Sequence, residues 1–153
     1  MMDTVQVKNF LNRDKYTKKI LTDVIPIDLL KIENVNGPRA FIINTGKSDT
    51  PGEHWFALFI PKYGPIEYFD SYGFKPLNKE IYDFVKINKR HLVYNRYKIQ
   101  GNKSINCGEF SIFYLYLRSR GFSLGKIIQF FNKNKCINDK IITNLFNKIK
   151  LIF

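Results

Sequence analysis

The run Trp55–Ile60 is apolar at all six positions and lies between a loop dense in turn residues and Pro61. Six residues suit a strand better than a helix, and a strand with no polar side must be covered on both faces. A chain containing it therefore needs layers on either side of a sheet. Ile66–Phe69, after the Gly64-Pro65 turn, reads as a neighbouring strand, and residues 40–43 as another. The loop 45–53 delivers His54 to the start of the apolar run. Residues 77–87 carry Leu77, Ile81, Phe84 and Val85 at helical spacing, and residues 91–99 read as a further strand.

From Cys107 to Leu117 the chain is apolar nearly all round (Phe110, Ile112, Phe113, Leu115), which describes a helix in the middle of a domain, ended by Gly121. Residues 4–20, with Val7, Phe10 and Leu11, read as an amphipathic helix. The stretch around Pro26 and Gly37-Pro38 reads as irregular, and helices are expected over 124–131 and 138–149. The expectation is one α+β domain over residues 1–153, with a central mixed β-sheet and a buried helix that starts at Cys107.

Aromatic content of 16% and apolar content of 44% exclude a disordered chain despite a net charge of +12. The charge is uneven: residues 1–75 hold ten Lys/Arg against nine Asp/Glu, and residues 76–153 hold fifteen against four. A basic half of this kind suits nucleic-acid phosphates, and equally suits lysines that only solvate helix faces in an A/T-rich coding sequence. The N-terminus lacks a signal-peptide apolar segment and no run is long enough to span a bilayer, so a soluble protein with no membrane partner, not secreted by the usual route, is expected. Two cysteines and two histidines without CxxC or HExxH spacing give no reason to expect a metal.

Cysteine chemistry needs a thiolate. Asn106 with Glu109 three residues on reads as a capping box, making Cys107 the first helical residue, where the helix dipole favours the thiolate. Its backbone N–H lacks an intrahelical partner and is free for a substrate oxyanion. Gly108 would let a substrate backbone approach, and Trp55 would flank the cleft or belong to the core. His54 at a strand end is a candidate base. Strand alternation puts Asp70 with Ile66 and Tyr68, so Asp70 is preferred over Glu67 as the acid that orients the ring. Gln100, seven positions before Cys107, is a candidate second oxyanion donor. His91 and Cys136 read as bystanders.

The order His, Asp, Gln, Cys, with Glu53-His-Trp, Tyr68-Phe-Asp-Ser-Tyr-Gly-Phe74 and Gln-Gly-x-x-Ser-x-x-Cys-Gly over 100–108, resembles the adenovirus maturation proteases, the adenains. The likeness covers residues 41–121. It implies a papain-like thiol protease fold with Cys107 as nucleophile, His54 as base, Asp70 where adenains have Glu, and Gln100 with the Cys107 N–H as oxyanion hole. It also implies capsid or core precursor substrates cut at small, Gly-containing sites, no cofactor but activation on DNA, and location in the virion and the host nucleus or cytoplasmic virus factory. Virophages and Polinton-type elements are expected sources of such enzymes. Adenains take an activating peptide through a cysteine between acid and glutamine. Residues 70–100 contain none, so that linkage is not expected here. SUMO-deconjugating proteases share the pattern with their Gln one position nearer the Cys, so a ubiquitin- or SUMO-type deconjugase remains an alternative. An inactive nucleic-acid-binding module with this fold is another.

Overall fold

A computed structural model describes residues 1–152. Helix α1 (Thr4–Arg13) begins where Asp3 caps it: the Asp3 carboxylate accepts from the Gln6 N–H at 2.8 Å, and the Gln6 side chain accepts from the Asp3 N–H at 3.0 Å. It buries Val7 and Leu11. The single helix expected over 4–20 breaks at Asp14, which turns extended, accepts from the Thr17 N–H at 2.9 Å and pairs with Arg120. A one-turn helix, α2 (Thr17–Ile20), follows.

The chain then enters β1 (Leu21–Pro26), in the stretch expected to be irregular. This strand pairs parallel with β2 (Arg39–Asn44) at the sheet edge and is only partly buried, so its sequence carries little apolar signal. Strand β3 (Trp55–Ile60) runs antiparallel to β2, and β4 (Ile66–Phe69) antiparallel to β3. Helix α3 (Lys79–Ile87) leads to β5 (Leu92–Tyr94), parallel to β4. The sheet is thus mixed, with strand order β1-β2-β3-β4-β5. The strand expected over 91–99 ends early because Asn95 spends its side chain on the Asp70 backbone in place of the ladder.

The all-apolar run is explained by its two faces. Trp55, Ala57 and Phe59 face a layer built from α1, α4 (Cys107–Arg118), α5 (Leu124–Phe130) and α6 (Lys135–Ile152). Phe56, Leu58 and Ile60 face Ile81 and Phe84 of α3 and the turn around Ile27 and Leu30. Helix α4 is buried at most of its positions and lies directly on β3. Ala57 keeps that approach close, and the Ser111 hydroxyl bonds the Cys107 carbonyl within the helix. Among the described residues no helix is long and apolar enough to cross a membrane.

Glu67 is an acid buried in the core on the helical side of the sheet. It accepts from the Tyr114 hydroxyl at 2.5 Å and from Arg118 at 2.8 and 3.2 Å, tying β4 to α4 beside the Phe69–Tyr114 stack. Removing Arg118 alone strands a buried carboxylate, whereas replacing the carboxylate, the guanidinium and the Tyr114 hydroxyl together leaves an apolar contact. Arg118→Met is expected to cost about 3 kcal/mol, read as a fall in urea midpoint. The triple variant Glu67→Leu/Tyr114→Phe/Arg118→Met should recover most of that loss. A triple-variant loss as large as the sum of the three single-variant losses would show that the groups are not coupled.

Candidate active site

His54, Asp70 and Cys107 each stand at the end of a rigid element. Asn44 ends β2, and its buried Oδ1 accepts from the N–H groups of Gly46 at 2.8 Å and Glu53 at 2.9 Å, which draws both ends of the 45–53 loop together. The Thr45 N–H donates to the His54 carbonyl at 2.8 Å, so His54 is fixed immediately before β3. Asp70 follows β4. The Asn95 amide clasps its backbone, accepting from the Asp70 N–H at 2.8 Å and donating to its carbonyl at 2.6 Å. The Asp70 carboxylate accepts from the Tyr72 N–H at 2.8 Å and lies 2.9 Å from His54 Nε2. Sequence reasoning passed over Asn44 and Asn95, because a buried asparagine that bonds backbone has no pattern along the chain.

Cys107 opens α4 and is held by the packing of that helix on β3. The imidazole of His54 pairs with Asp70 through Nε2 and shares its cleft with Cys107, whose negative charge acts on the ring. With Nε2 taken by Asp70, the other ring nitrogen is left for the thiol. The Tyr72 ring flanks the imidazole at 5.1 Å between centroids. Burial disfavours the charged ring, but the Asp70 hydrogen bond and the negative charges of Asp70 and Cys107 outweigh it and raise His54 to about 9. His54 is therefore protonated through the neutral range. His54, Asp70 and Cys107 line one cleft of about 350 Å³, with Tyr72, Ser104 and Ile105 on its walls.

The other expected site residues are placed differently. Trp55 is buried: its indole N–H donates to the Met2 carbonyl at 3.0 Å, and it faces a neighbouring cavity, not the cleft. Gly108 does not open the site to substrate. A Cβ there would stand 3.2 Å from Trp55 Cδ1, so the glycine serves the packing of the tryptophan. The Asn106–Glu109 capping box does not form, because the Asn106 amide donates to Thr143 of α6 and no side chain caps α4. Gln100 is fully buried behind the cleft, with its amide donating to the Ser104 carbonyl at 2.9 Å. Glu67, set aside as the acid, is occupied by Tyr114 and Arg118. Cys136 is exposed at the start of α6 and His91 is exposed beside β5.

No family model and no curated protein matches the chain. A crystal structure of the ASFV pS273R protease aligns with a TM-score of 0.63 over 91% of this chain and 65% of that one, at 16% identity. This chain has the fold of the ASFV pS273R protease. The papain-like α+β arrangement expected from the sequence is therefore the one found. A selenomethionine crystal structure of the same protease aligns over 65% of this chain and 42% of that one, at 25% identity and a TM-score of 0.49. The central domain of the uncharacterized Lpg1148 protein from Legionella pneumophila aligns over 84% of each chain, at 16% identity and a TM-score of 0.48. The chain spans less than two thirds of the ASFV pS273R protease chains it matches.

The raised His54 gives a signed prediction. A group whose folded pKa lies above its unfolded value stabilises the fold fully below about 6.5 and loses that contribution as pH rises through about 9. In an NMR titration His54 should take up its proton near 9, and Asp70→Asn should lower that midpoint by at least about one unit. The variant should also lose less stability than the wild type between those pH values. An unmoved His54 midpoint in Asp70→Asn would remove Asp70 as the cause.

Proposed function

We propose that the protein is a cysteine endopeptidase in which Cys107 is the nucleophile, His54 the acid–base and Asp70 the group that orients His54. The observation that carries this reading is the His54 ring paired with Asp70 at 2.9 Å in the open cleft that Cys107 also lines. A protonated imidazole beside a cysteine supports a thiolate–imidazolium pair, the reactive form of such a dyad. The thiolate attacks a peptide carbonyl carbon, forming a C–S bond. As the tetrahedral intermediate collapses, the C–N bond breaks and His54 gives its proton to the leaving amine. Water, deprotonated by His54, then cleaves the thioester. The Cys107 N–H and Gln100 are assigned to the oxyanion.

The substrates in this reading are viral capsid or core precursor proteins cut at small, Gly-containing sites. Its supports are the sequence resemblance to maturation proteases, the fold shared with the ASFV pS273R protease, and the burial of the thiol. Cys107 is only 2% exposed, so a residue without a bulky side chain brings its carbonyl to the sulfur most easily. The reading places the enzyme in the virion and the infected cell and makes the genome a partner. Arg118 and Arg120 are already paired with Glu67 and Asp14, so a nucleic-acid surface would rest on the exposed lysines of α6, such as Lys140 and Lys148.

Peptide cleavage followed by mass spectrometry tests the core claim. Cys107→Ala and His54→Ala are each expected to lower kcat by at least about 10⁴-fold, and Asp70→Asn by about 10²-fold or more. Cleavage by Cys107→Ala at the wild-type rate would refute the assignment. Replacing the acyl-side Gly of a cleaved peptide by Val should cost at least about tenfold in kcat/KM. Affinity for duplex DNA should fall steeply with salt and weaken in Lys140→Glu/Lys148→Glu, and a salt-independent affinity would remove DNA as a partner.

A further inference from the structure

Gln100 is held from more directions than a loop residue requires. Its own N–H and that of Ile99 both donate to the Ser71 carbonyl, at 3.0 and 2.9 Å. The Ser71 hydroxyl donates to Gln100 Oε1. That bond fixes which end of the amide is oxygen, and so turns Nε2 and its two hydrogens the other way. The peptide groups on either side are held by consecutive residues of α6. Asn138 Nδ2 donates to the Ile99 carbonyl at 3.0 Å, and Asp139 accepts from the Gly101 N–H at 3.0 and 3.3 Å. Asn138 is fully buried and is itself fixed by the Asn132 backbone. The Asp139 carboxylate fills the place of a side chain at 101, where a Cβ would lie 2.4 Å from Oδ2.

The two hydrogens of Nε2 go to Ser104, one to the carbonyl at 2.9 Å and one to the hydroxyl at 3.2 Å. Ser104 also lines the cleft that holds Cys107. The longer bond, to a neutral hydroxyl, is the weaker. A full negative charge on a substrate oxygen makes a shorter and stronger bond, whereas a ground-state carbonyl does not. An amide parked on Ser104 would thus transfer to the substrate as charge develops, which favours the transition state over the bound substrate.

We infer that Ser71, Asn138 and Asp139 are positioning residues that orient the buried Gln100 amide as an oxyanion donor, with the Ser104 hydroxyl keeping its place until substrate charge develops. This rests on the protease reading and extends it. It gives the C-terminal helix a part in catalysis although α6 contributes no group to the cleft beside Cys107.

The test is steady-state cleavage by the full chain, with circular dichroism to confirm folding of each variant. Gln100→Ala should lower kcat about 10²-fold with KM changed less than about twofold. Ser71→Ala and Asp139→Ala should each lower kcat about tenfold or more, again with little change in KM. Asp139→Asn keeps an oxygen acceptor and should restore at least half of the wild-type kcat. In a Gln100→Ala background, Ser71→Ala and Asp139→Ala should each add less than about twofold, because they act through the missing amide. Losses that multiply with Gln100→Ala, losses confined to KM, or no recovery in Asp139→Asn would overturn the inference. Asp139 is only partly buried, so its variants keep the test open should Ser71→Ala unfold. If Cys107→Ala cleaves like the wild type, the protease reading fails instead.

Discussion

The contact between α4 and β3 is the constraint on which the rest of the molecule depends. Helix α4 is apolar on nearly every side, so its only stable place is inside the protein, and β3 is a central strand apolar on both faces. Pressing the helix onto Trp55, Ala57 and Phe59 buries apolar side chains of both elements in one core. The same contact sets Cys107, at the head of the helix, beside His54, at the foot of the strand. Trp55 and Gly108 show how closely the two are fitted: the glycine has no side chain because the indole occupies that space. The residues that serve packing are thus neighbours in sequence of those that form the site.

Strand β4 and the residue after it supply two acids with opposite fates. Glu67 points into the helical layer, where an always-charged guanidinium and a tyrosine hydroxyl satisfy it, and the result is a fixed internal tie. Asp70 lies one residue past the strand, at the open end of the sheet, and its partner is an imidazole whose charge depends on the proton it holds. A permanent pair suits structure, and a titratable pair beside a thiol suits chemistry. The Asn95 clasp makes this second pair reliable, since it fixes the backbone from which the carboxylate projects.

The region behind the cleft repeats the same economy. Ser71, next to Asp70 in the chain, reaches Gln100, and Gln100 reaches the loop that leads to Cys107. The segment of Asp70 and the segment that leads to Cys107 are therefore joined by buried polar groups as well as by packing. Buried networks of this sort are rigid when every member is satisfied. Within Ser71, Gln100 and Ser104 each amide and hydroxyl has a partner, and α6 closes the set from outside.

The sequence by itself determined the central strand, the buried helix and their consequence, an α+β fold with Cys107 at a helix start. These were legible because burial on two faces leaves a composition that no surface element carries. The choice of Asp70 over Glu67 as the neighbour of His54 was also legible, from the two-residue period of a strand. What only the tertiary structure decided were relations without a local pattern. The edge strand β1 is too exposed to show one, and the helix expected over 4–20 is cut by an aspartate whose partner, Arg120, lies more than a hundred residues away. Glycine at 108 looked like room for a substrate until the tryptophan was seen to fill that space. The asparagines that clasp Asp70 and shape the loop before His54, and the hold of α6 on Gln100, are hydrogen bonds to backbone between distant segments. Such bonds depend on where the chain returns, and a sequence read along its length records only where it goes next.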